Sequence, residues 1–473
     1  MKTRILAAVA TLFQWLMLAG AALAAGCAGV PPGDAQVQTP KNIIIMFADG
    51  AAPTQWEFGR YTARHFRNEG FAVTDVVLRE GTLGLLSTHS LDSFVTDSAA
   101  AASSMSTGYK VNLFAVSMGP DGQRYPTLMQ LARERGKRIG IVTTASVYDA
   151  SPAAFSVNTR NRDDSQGIVD QYLKLEPDVL MGGGAEYFLP ATAGGKRRDV
   201  LDVIAAFAGK GWQVARDTAA LNSASAARVL GLFANDHMAL ELDRDAAKEP
   251  TTAEMTTAAL KALERDNAKG FVLFIENENT DTAGHLNDAA ALMRALWAFD
   301  KAVQVALEFQ RRSPDTLVIV AADHETGGLS PTYALRDLSS TAGKNIFNLD
   351  ARRLSMLEPI SLSIAGMIEK LGPKPTAENL DALVAKHYPG FRLDADLREA
   401  ILKRQPLERN FTNPVASALG RMVSRLTGVY WGTGGHTVEP VAIGAIGPGA
   451  KLFHGYQDNT EFAKHLQRLL GAQ

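Results

Sequence analysis

The sequence predicts an α/β fold, a three-layer α/β/α sandwich around a mostly parallel central sheet. Unbroken apolar runs recur at residues 43–48, 271–275 and 317–322. A strand covered by helices on both faces needs no polar side, so it reads as such a run rather than as an alternation. Segments with apolar residues at helical spacing lie between these runs, which is the alternation of a doubly wound sheet. The span 333–430, with more helix signals and many prolines, reads as an insertion before His436. It serves either as a cap over the site or as a dimer element.

The elements follow in order. Residues 1–26 read as a signal peptide: Lys2 and Arg4 precede an apolar run, and Ala22-Leu23-Ala24 offers a cleavage site. Residues 27–40 read as a flexible tether, and 41–473 as the catalytic domain. Cys27 is the one cysteine, so no disulfide forms within the chain. It follows Ala24-Ala25-Gly26, which resembles a bacterial lipoprotein box with Ala24 where leucine is usual. Two readings stay open, simple secretion or a lipid anchor at Cys27. Both place the protein in the periplasm or outside the cell, and the second ties it to the outer membrane. A net charge of -2 argues against a nucleic-acid partner, which would need a basic face.

The first strand run ends in Asp49 and Gly50. The stretch Val95-Thr96-Asp97-Ser98 leads into alanines, the strongest helix formers, and Gly108 stops the helix. Ser98 then sits in a first turn, where unpaired N–H groups favour negative charge. Residues 127–135 form a helix and 138–143 the next strand. Gly182 to Gly184 invites a phosphate-loop reading, but the Lys-Ser/Thr ending is absent, so a turn after a strand fits better. Thr251 and Glu254 make a capping box for a helix through Leu263. Another helix runs through Leu292, Leu296, Phe299, Val303 and Leu307. The insertion carries helices near 380–387, 397–403 and 415–426. A strand at 441–446 and a helix at 459–470 close the chain.

The second run ends in Glu276 and the third in Asp323-His324. A carboxylate is costly to bury unless it is paired or holds a metal. Three strands ending this way point to a polynuclear metal site. Asp281 and His285 stand four apart, so on a helical turn they share a face and can chelate one ion. His436, on a Gly-Gly turn, adds another imidazole. Imidazole with carboxylate suits zinc. No role is assigned to His65, His89, His237, His387, His454 or His465.

These motifs, in this order, resemble the alkaline phosphatase family. The segments that carry the resemblance are Phe47-Ala48-Asp49-Gly50, Thr96-Asp97-Ser98-Ala99, Ala150-Ser151-Pro152-Ala153 and Leu180-Met181-Gly182-Gly183-Gly184. Glu276, Asp281, His285, Ala322-Asp323-His324-Glu325-Thr326-Gly327-Gly328 and Gly435-His436-Thr437 continue it, and Gly447-Pro448-Gly449-Ala450 and Asp458-Asn459-Thr460-Glu461 complete it. The resemblance implies an alkaline-phosphatase-like fold and hydrolysis of small phosphate monoesters through a phosphoserine at Ser98. It implies two zinc ions, one held by Asp281, His285 and His436, the other by Asp49, Asp323 and His324. It implies one magnesium held by Asp49, Ser151 and Glu276, a phosphate clamp at Arg162, and a homodimer.

Arg160 competes with Arg162 for the clamp, and the spacing from Ser151 and the Asn161-Arg162 pair favour Arg162. Glu278 would face the same way as Glu276 if the strand continued. Thr282 departs from the family, many of whose members carry Lys, His or Trp after this Asp. Asp149 is expected to keep the third site selective for magnesium, and Thr282 to weaken the hold on product phosphate.

Overall fold

The computed structural model describes residues 38–335 and 346–472. The expected signal peptide, most of the tether and Cys27 lie outside the described residues. Among the described residues no helix is long and apolar enough to cross a membrane.

The centre of the molecule is the strand Asn42–Ala48, buried along its whole length. Phe271–Asn277 pairs with it on one side and Thr316–Ala321 on the other, both parallel and both fully buried. The three acid-ended strands are therefore direct neighbours. Phe47 stands level with Glu276 and with Ala321, so the acids that end these strands emerge at one edge of the sheet. Each fully buried Ile, Val, Leu or Phe in these strands contributes about 1.5–3 kcal/mol.

The full sheet has ten strands. Outward from Phe271–Asn277 come Arg138–Ser146, Val179–Gly183, Val229–Leu232 and Gln213–Ala215, all parallel. Outward from Thr316–Ala321 come Val441–Ile446, Thr82–Ser87 and Gly455–Asp458. Val441–Ile446 runs antiparallel to both its neighbours. That reversal positions His436. A strand running against the others begins where they finish, so a residue just before it meets the residues just after them.

Helices pack in two groups. Pro53–Thr62, Thr252–Leu263 and Ala289–Arg312 associate with one another, and Ser98–Thr107, Leu128–Glu134 and Asn459–Leu469 form a second set. The Thr251 box forms as expected: Thr251 Oγ1 accepts from the Glu254 amide at 3.1 Å, and Glu254 accepts from the Thr251 amide at 2.8 Å.

The excursion after His324 leaves and returns through a two-stranded stem, Leu329–Pro331 against Val429–Trp431. Inside it lie the helices Ile364–Leu371, Ala377–His387, Ala395–Lys403 and Pro414–Thr427. The first of these is absent from the sequence reading, because it is short and follows a proline-broken stretch. Asn410 of this segment accepts from the Gly434 amide at 2.8 Å and so braces the turn before His436.

Candidate metal centre and nucleophile

Ser98 is the first residue of the helix Ser98–Thr107, and Asp97 is its cap, accepting from the Ala100 amide at 3.0 Å. Alanines let this helix sit wholly buried, and Gly108, in the left-handed region, ends it. The Ser98 hydroxyl lies 3.1 Å from His324 Nε2.

Around that contact the distant ligand candidates converge. His324 Nε2 lies 3.3 Å from Asp323 and 3.6 Å from Asp49. His285 Nε2 lies 3.1 Å from Asp281 and 3.1 Å from His436 Nε2. His436 Nε2 is 3.7 Å from Asp281, and its ring stacks on His324 at 3.6 Å. Two groupings have metal-binding spacing, Asp49 with Asp323 and His324, and Asp281 with His324 and His436. Asp281 and His285 share the helix Asn279–His285, as their spacing predicts.

The far side of each imidazole is occupied. His285 Nδ1 donates to the Gly434 carbonyl at 2.8 Å and His436 Nδ1 to the Thr96 carbonyl at 2.8 Å. His324 Nδ1 sits 3.2 Å from Thr326 Oγ1. These contacts turn all three Nε2 atoms inward, which is how metal-binding histidines are oriented. The expected flexible turn at His436 is instead a short strand, His436–Thr437, paired with Glu325–Thr326. Two-residue ladders leave no periodic signal, so the sequence could not show it. Thr326 was also missed: its hydroxyl bonds Asp281 as well as His324. Gly50 is needed beside it, since a Cβ there would come within 2.6 Å of Thr326 Oγ1 and 2.8 Å of Asp281 Oδ1.

Ser151 Oγ donates to Asp49 Oδ2 at 3.3 Å, and Glu276 accepts from the Thr143 hydroxyl. Glu278 does not continue the strand. It stands just before the following helix, accepts from Thr282 Oγ1, and lies 3.9 Å from His237 Nδ1. His237, which in the sequence is no more than a lone imidazole, thus stands beside the site. A cavity of about 580 Å³ opens here between His237, Glu278, Thr282 and the insertion's Leu362 and Lys370. The insertion forms a wall of this cavity.

Arg162 reaches Asp97 and Asp149, each at 3.2 Å. These carboxylates hold the guanidinium from two sides, beside the cap of the Ser98 helix. Arg160 is exposed and lies against Gly122.

The electrostatics are those of clustered, buried acids. Burial, then the charge of Asp323, pushes Asp49 well above the usual carboxylate range. Burial and neighbouring acids raise Glu276 likewise, and burial followed by Asp281 lifts Asp323 to about 8. Asp281 is the exception. Burial raises it, but His285, His436 and His324 outweigh that and hold it below the ordinary range. The same pairing lifts His285 to about 9, while burial lowers His324 and His436. Asp49 Oδ1 and Asp323 Oδ2 are buried with no hydrogen-bond partner. Orphaned carboxylate oxygens facing inward imidazole nitrogens are what a divalent cation would satisfy.

The family model for alkaline phosphatase matches residues 40–472. Alkaline phosphatase 3 of Bacillus subtilis is 29% identical over 443 residues, covering 91% of this chain and 89% of that protein. The crystal structure of Thermus thermophilus alkaline phosphatase superposes with a TM-score of 0.83 at 31% identity, covering 94% of this chain and 95% of its own. That of a cold-active alkaline phosphatase from Shewanella sp. gives 0.74 at 31% identity, with 91% and 99% covered. Sheet order, site geometry and these likenesses agree, and the chain belongs to the alkaline phosphatase family.

Proposed function

We propose that this chain hydrolyses phosphate monoesters through a phosphoserine at Ser98, with two zinc ions and one magnesium. The observation that carries the reading is the Ser98 hydroxyl, at a helix start, 3.1 Å from an imidazole flanked by buried, unpartnered carboxylates. Asp281, His285 and His436 would hold one zinc, and Asp49, Asp323 and His324 the other. Asp49, Ser151 and Glu276 offer only oxygen, which suits magnesium. Bound there, such ions supply Lewis-acid charge that favours the serine alkoxide and the departing oxygen.

The chain's own groups do the rest. Ser98 Oγ attacks phosphorus, the ester P–O bond breaks, and the alcohol leaves. Water then cleaves the phosphoserine and restores the hydroxyl. The first amides of the Ser98–Thr107 helix favour the negative phosphoryl group. Arg162 presents a planar fork to two of its oxygens. Export from the cytoplasm is part of this proposal and rests on residues 1–26 alone.

A nitrophenyl phosphate assay of the metal-loaded full chain tests the reading, and bound zinc without turnover would overturn it. Arg162→Ala is expected to lower kcat/KM on monoesters about a hundredfold, the worth of two charge-assisted hydrogen bonds. A diesterase, whose substrate has one free charge, would show no such loss. Thr282→Lys is expected to tighten inhibition by product phosphate several-fold through the added charge, about 1 kcal/mol at high effective dielectric. Unchanged or weaker inhibition would remove Thr282 from the account.

A further inference from the structure

One residue beside the nucleophile breaks a backbone rule. Phe114 has φ of 66°, the left-handed region that a bulky side chain rarely adopts. Its backbone is held there from both sides. Its amide lies 3.3 Å from the carboxylate of Asp97, the cap before Ser98, and its carbonyl accepts from the Arg162 amide at 2.8 Å. The strained residue therefore bridges the nucleophile's cap and the phosphate clamp. Strain of this kind persists only where the surroundings enforce it. Glycine would satisfy the backbone at no steric cost, yet a phenyl ring stands here, 55% exposed.

Other exposed apolar residues lie on segments tied to the same backbone. The Asp92 side chain accepts from the Leu113 amide, next to the Phe114 amide that Asp97 holds. The loop between Asp92 and Asp97 is thus pinned over residues 113 and 114, and it carries Phe94, which is 87% exposed. His436 Nδ1 bonds the Thr96 carbonyl, and Val438, two residues further on, is 62% exposed. Phe94, Phe114 and Val438 are all exposed, on segments whose backbones are tied to Asp97, Thr96 and His436, and none of them can contact a phosphoryl oxygen favourably. What they can contact is the other half of an ester.

We propose that Phe114, with Phe94 and Val438, forms an apolar shelf that receives the alcohol portion of the substrate and favours monoesters of aromatic alcohols. The inference rests on the reading of the chain as a phosphomonoesterase. Phe114 is a specificity-determining residue in this account, and Ser98 and Arg162 keep the chemistry.

The test compares kcat/KM for phenyl phosphate with that for glycerol 2-phosphate, using the metal-loaded full chain. Comparing this ratio between each variant and the unaltered chain cancels the intrinsic difference between the two leaving groups. Phe114→Gly suits the left-handed backbone and keeps both backbone hydrogen bonds. It is expected to lower the ratio about five- to tenfold, the worth of one aromatic pair. Phe94→Ala lowers it by a smaller factor, and Phe114→Tyr, which keeps a ring, preserves it. The change falls on kcat/KM, because the alcohol has gone before the phosphoserine is cleaved. A purely structural role would move both esters together and leave the ratio where it was, which overturns the inference. So would a constant ratio accompanied by a change of oligomeric state in light scattering, which would make the shelf a contact between copies. If the unaltered chain hydrolyses neither ester, the proposed function itself fails.

Discussion

Ser98→Ala is expected to lower turnover of phosphate monoesters by at least about a thousandfold, because it removes the atom to which the proposed covalent intermediate is assigned. The loss is in kcat rather than in binding. Arg162, the helix amides and the ligand side chains are untouched, so inhibition by phosphate persists. Alanine already fills the four positions after Ser98, and the cap at Asp97 supports the helix without the hydroxyl. The variant therefore folds, and a melting curve like that of the unaltered protein checks it. Acid quench after mixing with ³²P-labelled ester provides the direct measurement. The unaltered chain retains label on Ser98, and the variant retains none. Activity in Ser98→Ala within tenfold of the unaltered chain would mean that water attacks the ester directly.

Chelation is expected to abolish activity and to lower Tm on the order of 10 °C, the size that follows if the proposed ions, bound far above their Kd, are withdrawn from a large domain. The cause is visible in the site. Asp49, Asp323 and Glu276 are fully buried, and burial together with neighbouring acids disfavours their charged forms. The effect has a pH signature. Asp323 titrates near 8 in the folded chain against 3.8 when free, so the fold prefers its protonated form. Its contribution to stability is complete below the free value and is lost as pH rises through the folded value. The stripped chain should therefore melt at progressively lower temperature as pH rises across that window. The metal-loaded chain should show no such slope, since its carboxylates are already ionised and paired. Differential scanning calorimetry at several pH values, with and without chelator, reads both effects. Equal slopes in the two forms would show that these acids are not the ligands.

Much of the architecture was legible because it depends on neighbours in sequence. The apolar runs at 43–48 and 271–275 mark strands since a strand buried on both faces has little place for a polar residue along its middle. The same rule locates Asp49, Glu276 and Asp323, because an acid can stand only where such a strand is ending. Helix Ser98–Thr107 and its cap follow from alanine propensity and the Asp97 carboxylate. Asp281 and His285 meet because the helix repeat brings residues four apart to one face.

Other features depended on partners far away along the chain. Nothing near Asp49 says that the strands carrying Glu276 and Asp323 lie on either side of it. Nothing near His436 says that the following strand runs against its neighbours, which is why that imidazole reaches Asp281. The Thr326 hydroxyl and the left-handed Phe114 are held by groups that packing supplies. Propensity and periodicity act over a few residues and set which segments form. Which segments become neighbours, and so which side chains share a site, is decided when the whole core closes and each strand takes the place that buries it best.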